Sequence, residues 1–218
     1  MRPAGRARPG GADSGSVPFA RGGTALLFRR GARVVKLARA GFEEVLAREA
    51  AALAAIDHPG VVRMLERAPE ALTLVYVPGR DLCRATLPPR KVLRVALDVA
   101  GALAAVHAAG FVHGDVSPSN VRVARDGRAT LLDFGSARPI GHLADVARGK
   151  RAYLAPEQTR AGTPVDGRAD LYALGVILAE RLGDTPLARR LAAADPRDRP
   201  RTAEQAADLL EAALRASP

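Results

Sequence analysis

The hydrophobic pattern of this chain changes character at Pro78-Gly79, and that change limits the fold more than any single residue does. Before it the apolar runs are short, as at Leu26-Leu27-Phe28 and Val34-Val35, with Gly22-Gly23 and Gly31 breaking them. Short apolar runs between turn residues read as strands. After it come Ala- and Leu-rich stretches with helical spacing. Pro88-Pro89 opens one that carries Val92, Ala96, Val99, Leu103 and Val106 as its stripe, runs to about Ala109 and stops at Gly110. A small sheet-rich half followed by a larger helical half is an α+β layout.

The first half also holds one helix. Phe42, Val45, Leu46, Glu49, Leu53 and Ile56 share a face, and His58-Pro59-Gly60 ends it. A carboxylate on a buried stripe is costly unless a cation meets it, and Lys36 on the preceding strand is the natural partner of Glu49. Further strands are predicted over 61–66, 72–77, 111–113, 121–124 and 130–132. A loop-rich stretch reaches about residue 167, and helices are predicted over 168–182, 186–194 and 202–214. Residues 1–16 are Gly, Pro, Arg and Ser with almost nothing to bury, which predicts a disordered basic tail.

Composition excludes several classes of function. No run approaches the roughly 18–20 apolar residues of a membrane span. The N-terminus lacks the apolar core of a secretory signal. Cys83 stands alone, so neither an internal disulfide nor a cysteine metal cluster is available. These features predict a cytoplasmic enzyme or binding module. The net charge of +10 owes +6 to the first 33 residues, and the remaining arginines are scattered. With eight aromatics and no Trp, base-stacking platforms are scarce, so nucleic acid is not the expected main partner. A nucleotide phosphate needs only a few of these cations.

The residues that carry chemistry are concentrated. His113-Gly114-Asp115-Val116-Ser117-Pro118-Ser119-Asn120 lies between two predicted strands, and thirteen residues past Asn120 comes Asp133-Phe134-Gly135. An amide from Asn120 with the carboxylate of Asp133 forms an oxygen-rich pair suited to Mg²⁺, which completes its shell with waters and phosphate oxygens. Asp115 then remains to accept a hydroxyl proton, a role that contributes about 10²–10⁴-fold.

These two segments resemble the catalytic loop and metal motif of the protein kinase family, and the wording around Tyr153–Gln158 is similar to that of bacterial Hanks-type serine/threonine kinases. The resemblance implies a two-lobed fold, with an N-lobe over 17–77 and a C-lobe over 78–216. It makes Lys36 and Glu49 the pair that orients the α- and β-phosphates of ATP. It sets Gly22 and Gly23 in the phosphate loop, and backbone groups around Val75 and Val77 against adenine. Asn120 and Asp133 become the Mg²⁺ ligands and Asp115 the catalytic aspartate. Ala155-Pro156-Glu157 matches the end of the activation segment, Asp170 the start of the central helix, and Arg199 the late arginine that pairs with Glu157.

The chain also departs from that pattern. Ala20 and Ala25 replace the outer glycines of the phosphate loop, which restricts positive φ there. Gly114 stands where many regulated kinases have arginine, and between Asp133 and Glu157 the only hydroxyls are Ser136 and Tyr153. Together these predict an enzyme not switched on by activation-loop phosphorylation. Ser117 takes the place of the lysine that would meet the γ-phosphate, while Lys150 stands where the family has threonine. Either Lys150 supplies that cation from the opposite side of the site, or it is merely exposed. Only twelve residues separate Leu182 from Asp195, a stretch that in the family carries substrate-docking elements. The expected activity is transfer of the ATP γ-phosphate to a protein hydroxyl. The alternatives are a small-molecule kinase-like phosphotransferase and a nucleotide-binding pseudokinase adaptor.

Overall fold

The computed structural model describes residues 17–21, 23–144 and 150–217. The expected tail over 1–16, Gly22 of the phosphate loop and Gly149 lie outside the described residues.

Strands β1 (Val17–Arg21), β2 (Ala25–Arg30), β3 (Arg33–Ala38), β4 (Met64–Ala68) and β5 (Ala71–Val75) form an antiparallel sheet in the order β1-β2-β3-β5-β4. The tight β2–β3 turn uses Gly31 at φ +57°, a left-handed conformation that glycine enters freely. Register pairs Leu27 with Lys36 and Lys36 with Leu72, so Lys36 sits mid-strand in the middle of the sheet.

Helix α1 (Glu43–Ala55) buries Val45, Leu46, Glu49, Ala50, Ala52 and Leu53. The expected stripe therefore holds through Ile56, which packs against the core, and fails at Phe42. Phe42 is the N-cap and 39% exposed, and Ile56 is the C-cap. The strand expected over 61–66 starts later, at Met64, and four of its five residues are exposed. As an edge strand, β4 has no need of the alternation that would mark it. Val61 and Val62 are buried all the same, because they join the two halves of the molecule. Leu131 N–H donates to Gly60 O at 2.8 Å, and Val62 N–H donates to Leu131 O at 3.0 Å.

The second half begins with β6 (Arg80–Asp81) and a single 3₁₀ turn at Leu82–Arg84. Helix α2 (Pro89–Ala108) follows, opened by Pro89 in the first turn and closed by Gly110 at φ +85°. Short strands β7 (Phe111–Val112), β8 (Val121–Val123), β9 (Ala129–Leu131) and β10 (Arg138–Pro139) make two small sheets, β6-β8-β9 and β10-β7. Helices α3 (Arg168–Leu182), α4 (Pro186–Leu191) and α5 (Ala203–Ala216) complete the chain. The two-residue strands β6 and β10 are too short to leave a periodic signal, and α4 ends sooner than its sequence suggests.

Helix α3 is the axis of this half. It buries residues on every side, Ala169, Leu171, Leu174 and Leu178 among them, as a helix enclosed by others must. Its closest neighbour is the end of α4: a Cβ on Gly175 would stand 2.5 Å from Ala192 N and 2.7 Å from Leu191 Cβ. Near its start, Arg199 forms a buried pair with Glu157, Nη1–Oε1 2.6 Å and Nη2–Oε2 3.0 Å, as the sequence matches anticipate. The remaining Arg199 donors go to Ala193 O, Ala194 O and Arg168 O, which satisfies the guanidinium out of water. Replacing Gly175 by valine should therefore destabilise the fold by about 1–3 kcal/mol through overpacking, measurable as a lowered thermal midpoint.

Candidate functional site

The site is assembled from three places in the chain. The first is the sheet. The Lys36 side chain on β3 points to the side that α1 covers, is 5% exposed, and meets Glu49 on the buried face of α1. Nζ donates to Glu49 Oε2 at 2.7 Å and to Asp133 Oδ1 at 2.8 Å. Burial opposes the charge on Lys36, but the two carboxylates outweigh it and hold the ammonium's pKa above its usual value. Burial likewise pushes Glu49 upward, opposed chiefly by the ammonium.

The second is the segment after β9. Asp133 has φ +61°, unique among non-glycine residues described and one of the few side chains that tolerate it. Such a conformation persists where surrounding contacts over-determine it. Here Gly135 N–H donates to Oδ1 at 3.3 Å, and Phe134, fully buried, stacks edge-on against His113 at 4.7 Å. Burial opposes ionisation of Asp133, but Lys36 wins and its carboxyl lies below the usual range. Oδ1 is engaged by Lys36, while the side chain remains half exposed.

The third is the loop between β7 and β8, and it hangs on a carboxylate from α3. Asp170 is buried, and accepts His113 N–H on Oδ2 and Gly114 N–H on Oδ1, both at 2.9 Å, with His107 Nε2 also 2.9 Å from Oδ2. Asp115 N–H donates to His113 Nδ1 at 3.2 Å, so His113 Nε2 carries the proton and donates to Leu132 O at 3.1 Å. His113 is thus structural, joining this loop to the strand that presents Asp133. Gly114 adopts φ +77°, and a Cβ there would come 2.9 Å from Ser136 O.

Around Asp115 every oxygen has a donor. Asn120 Nδ2 donates to Asp115 O at 2.8 Å and to Oδ2 at 2.9 Å, and Lys150 N–H donates to Oδ1 at 3.0 Å. The Lys150 ammonium lies against Ser117 Oγ at 2.8 Å and also bonds Ser119 Oγ. Lys150 therefore reaches into the loop that lacks its own lysine. Ser119 was not singled out in the sequence; a hydroxyl two residues past Ser117 was the available signal.

A cleft of about 580 Å³ lies between the two halves, and Gly23, Lys36, Val75, Val77, Asn120 and Asp133 line it. Glu49 reaches it beneath Lys36. Of the backbone groups expected to meet adenine, the Val75 and Tyr76 amides are already used, donating to Arg63 O and Ala32 O. The Val77 amide has no partner among the described residues. Asp115 and Lys150 meet beside the cleft and are joined to it through Asn120.

The donor set suits Mg²⁺. Asn120 spends its NH₂ on Asp115, leaving its side-chain oxygen as an acceptor, and its backbone carbonyl accepts Leu132 N–H at 2.8 Å, which holds it beside the strand end that carries Asp133. Among the described residues no cluster of three or more His, Cys, Asp or Glu offers a protein-only cage. One carboxylate and one amide, with phosphate oxygens to complete the shell, is an arrangement that Mg²⁺ accepts.

A family model described as protein kinase domain matches residues 33–210. The serine/threonine-protein kinase PknL of Mycobacterium tuberculosis is 37% identical over 164 residues, covering 67% of this chain and 41% of the relative. The serine/threonine-protein kinase pkn2 of Myxococcus xanthus is 37% identical over 175 residues, 70% of this chain and 21% of the relative. PknB of Mycobacterium leprae is 34% identical over 158 residues. The chain spans less than half the length of these curated relatives. No helix among the described residues is long and apolar enough to cross a membrane.

Asp170 gives this site a pH signature. Burial alone would raise its carboxyl, but the bond from His107 and the Gly114 amide lower it below the ordinary 3.8. A depressed carboxyl stabilises the fold above its unfolded pKa, and the contribution fades as pH falls through the folded value. Asp170→Asn should cost about 1.5–3 kcal/mol near neutrality, and the gap from the parent should close below about pH 3.8 in urea melts.

Proposed function

This chain belongs to the protein kinase family, and on that premise we propose that it transfers the γ-phosphoryl group of ATP to a serine or threonine hydroxyl of a protein. The observation that carries the reading is the convergence of Lys36, Asn120 and Asp133 in one cleft, with Asp115 bonded to Asn120 beside it. Residues 17–77 act as the nucleotide-covering lobe and 78–216 as the acceptor-binding lobe. A cytoplasmic location agrees with the use of ATP.

Each side chain has a physical task. Lys36, fixed by Glu49, presents a permanent ammonium to the α- and β-phosphates. Gly23 keeps the β1–β2 turn close to the phosphates, while backbone groups around Val75 and Val77, which line the cleft, hold the adenine. Asn120 and Asp133 hold Mg²⁺, which when bound offsets negative charge on the phosphate oxygens. Asp115 aligns the acceptor hydroxyl and takes its proton; the donors from Asn120 and Lys150 keep its oxygens aimed. Lys150 supplies the cation for the transferring γ-phosphoryl group from across the site. The positive φ of Gly114 and the scarcity of activation-segment hydroxyls support an enzyme that needs no phosphate on that segment.

The purified chain with labelled ATP, Mg²⁺ and a generic protein acceptor should transfer label to the acceptor. Asp115→Asn should lower that rate by about 10²–10⁴-fold while ATP binding persists. Label reaching only small metabolites, or nucleotide binding without transfer, would defeat the protein-acceptor reading. Lys150→Ala should reduce kcat by about 10²-fold with little change in KM for ATP, because its contact is made to the group in flight. Unchanged turnover would show that Lys150 is merely exposed.

A further inference from the structure

The acceptor side of the site is framed by two short 3₁₀ turns, Leu82–Arg84 and Arg151–Tyr153, and the helix α3 ties them into one rim. Consecutive residues of α3 do this. Glu180 accepts the Tyr153 hydroxyl, 2.9 Å to Oε2 and 3.1 Å to Oε1. Arg181 donates to Leu82 O at 2.6 Å and Ala85 O at 3.0 Å. The first turn is further pinned to the catalytic loop, since Cys83 N–H donates to Pro118 O at 3.1 Å. The second turn follows directly on Lys150, whose amide bonds Asp115. One turn is thus bonded to the loop that carries Asp115, and the other begins next to the residue whose amide holds it.

Their charge is one-sided. Arg84 is exposed, lines the ATP cleft together with Ser119 and Asn120, and has no hydrogen bond or ion pair among the described residues. Arg151 is exposed and equally unpaired among them. The carboxylates of the rim are already engaged: Asp81 bridges to Arg122 at 3.3 Å, and Glu180 is held by Tyr153. Ser119 contributes a hydroxyl and no charge. An exposed, unpaired guanidinium offers five donors to a carboxylate or phosphate, and two of them on one rim set a preference by attraction and by repulsion of the wrong partner.

Taking the proposed function as its basis, we propose that the acceptor is an acidic segment, in which Asp, Glu or phosphorylated residues flank the target hydroxyl and are read by Arg84 and Arg151. Arg151 lies outside the cleft that Arg84 lines, so altering Arg151 should change which acceptor is chosen rather than whether transfer occurs. The contacts lie at the rim, which makes them sensitive to ionic strength.

The test is a panel of three synthetic peptides with one central serine or threonine, flanked by Asp/Glu, by uncharged residues, or by Lys/Arg. The parent chain should show kcat/KM for the acidic peptide about 10-fold or more above the basic one, a ratio that shrinks with added salt. The Arg151→Glu variant should reduce or reverse the preference between the two charged peptides while its ATP hydrolysis without peptide stays at the parent level. A parent chain that favours the basic peptide, or a variant with unchanged preference, overturns the inference and leaves the protein-acceptor reading standing. Label on none of the three, with generic protein also unlabelled, overturns that reading and the inference with it.

Discussion

The contact on which the site depends is the buried ammonium of Lys36 between Glu49 and Asp133. A lysine 5% exposed in the middle of a sheet is tolerable only if carboxylates meet it, and these come from a helix and from the loop 97 residues further along the chain. The same geometry makes each partner dependent on the others. Without Lys36, Glu49 is an uncompensated buried charge; without Asp133, nothing ties the sheet's lysine to the larger half at this point. Charge pairing thus specifies how the sheet wall and the floor of the cleft are set against each other, where apolar contacts alone would allow sliding.

Below that floor a second buried acid does comparable work. Asp170 collects the amides of His113 and Gly114 at the head of the loop, and His113 passes the constraint on to Leu132, next to Asp133. Asp115 and Asp133 are therefore held by one continuous set of hydrogen bonds rooted in the enclosed helix α3. On this frame the Lys150 ammonium meets the Ser117 hydroxyl, and the proposed role of Lys150 has the cation arrive from its side of the site instead of from the loop. What matters to a phosphoryl group is the position of the charge, and either strand can deliver it.

Much of this was legible in the sequence because buried charge is costly. Glu49 on an apolar stripe demanded a cation, and Lys36 met it; Asp115, Asn120 and Asp133 stood out by their fixed order. The long helices announced themselves through period and through Pro89 and Gly110. What was hidden had weak or no periodic signal. The edge strand β4 exposes four of five residues, so the apolar Val61 and Val62 drew the predicted strand too early. Phe42 was read as core because it fits the helical spacing, yet it caps the helix from outside it. The role of Asp170 as an anchor depends on backbone amides 56 and 57 residues away, which no local pattern encodes. Lys150 could be named from its sequence position but not aimed; its contact with Ser117 and Ser119 exists only in the folded chain.

A reciprocal exchange tests where the proposed acceptor-side cation comes from. The single variant Lys150→Thr should lose most phosphoryl transfer, and Ser117→Lys added to it should restore turnover to within about 10-fold of the parent, since the charge is returned to the same spot from the opposite strand. Transfer that survives Lys150→Thr intact, or a folded and ATP-binding double variant that stays as inactive as the single one, would contradict the assignment.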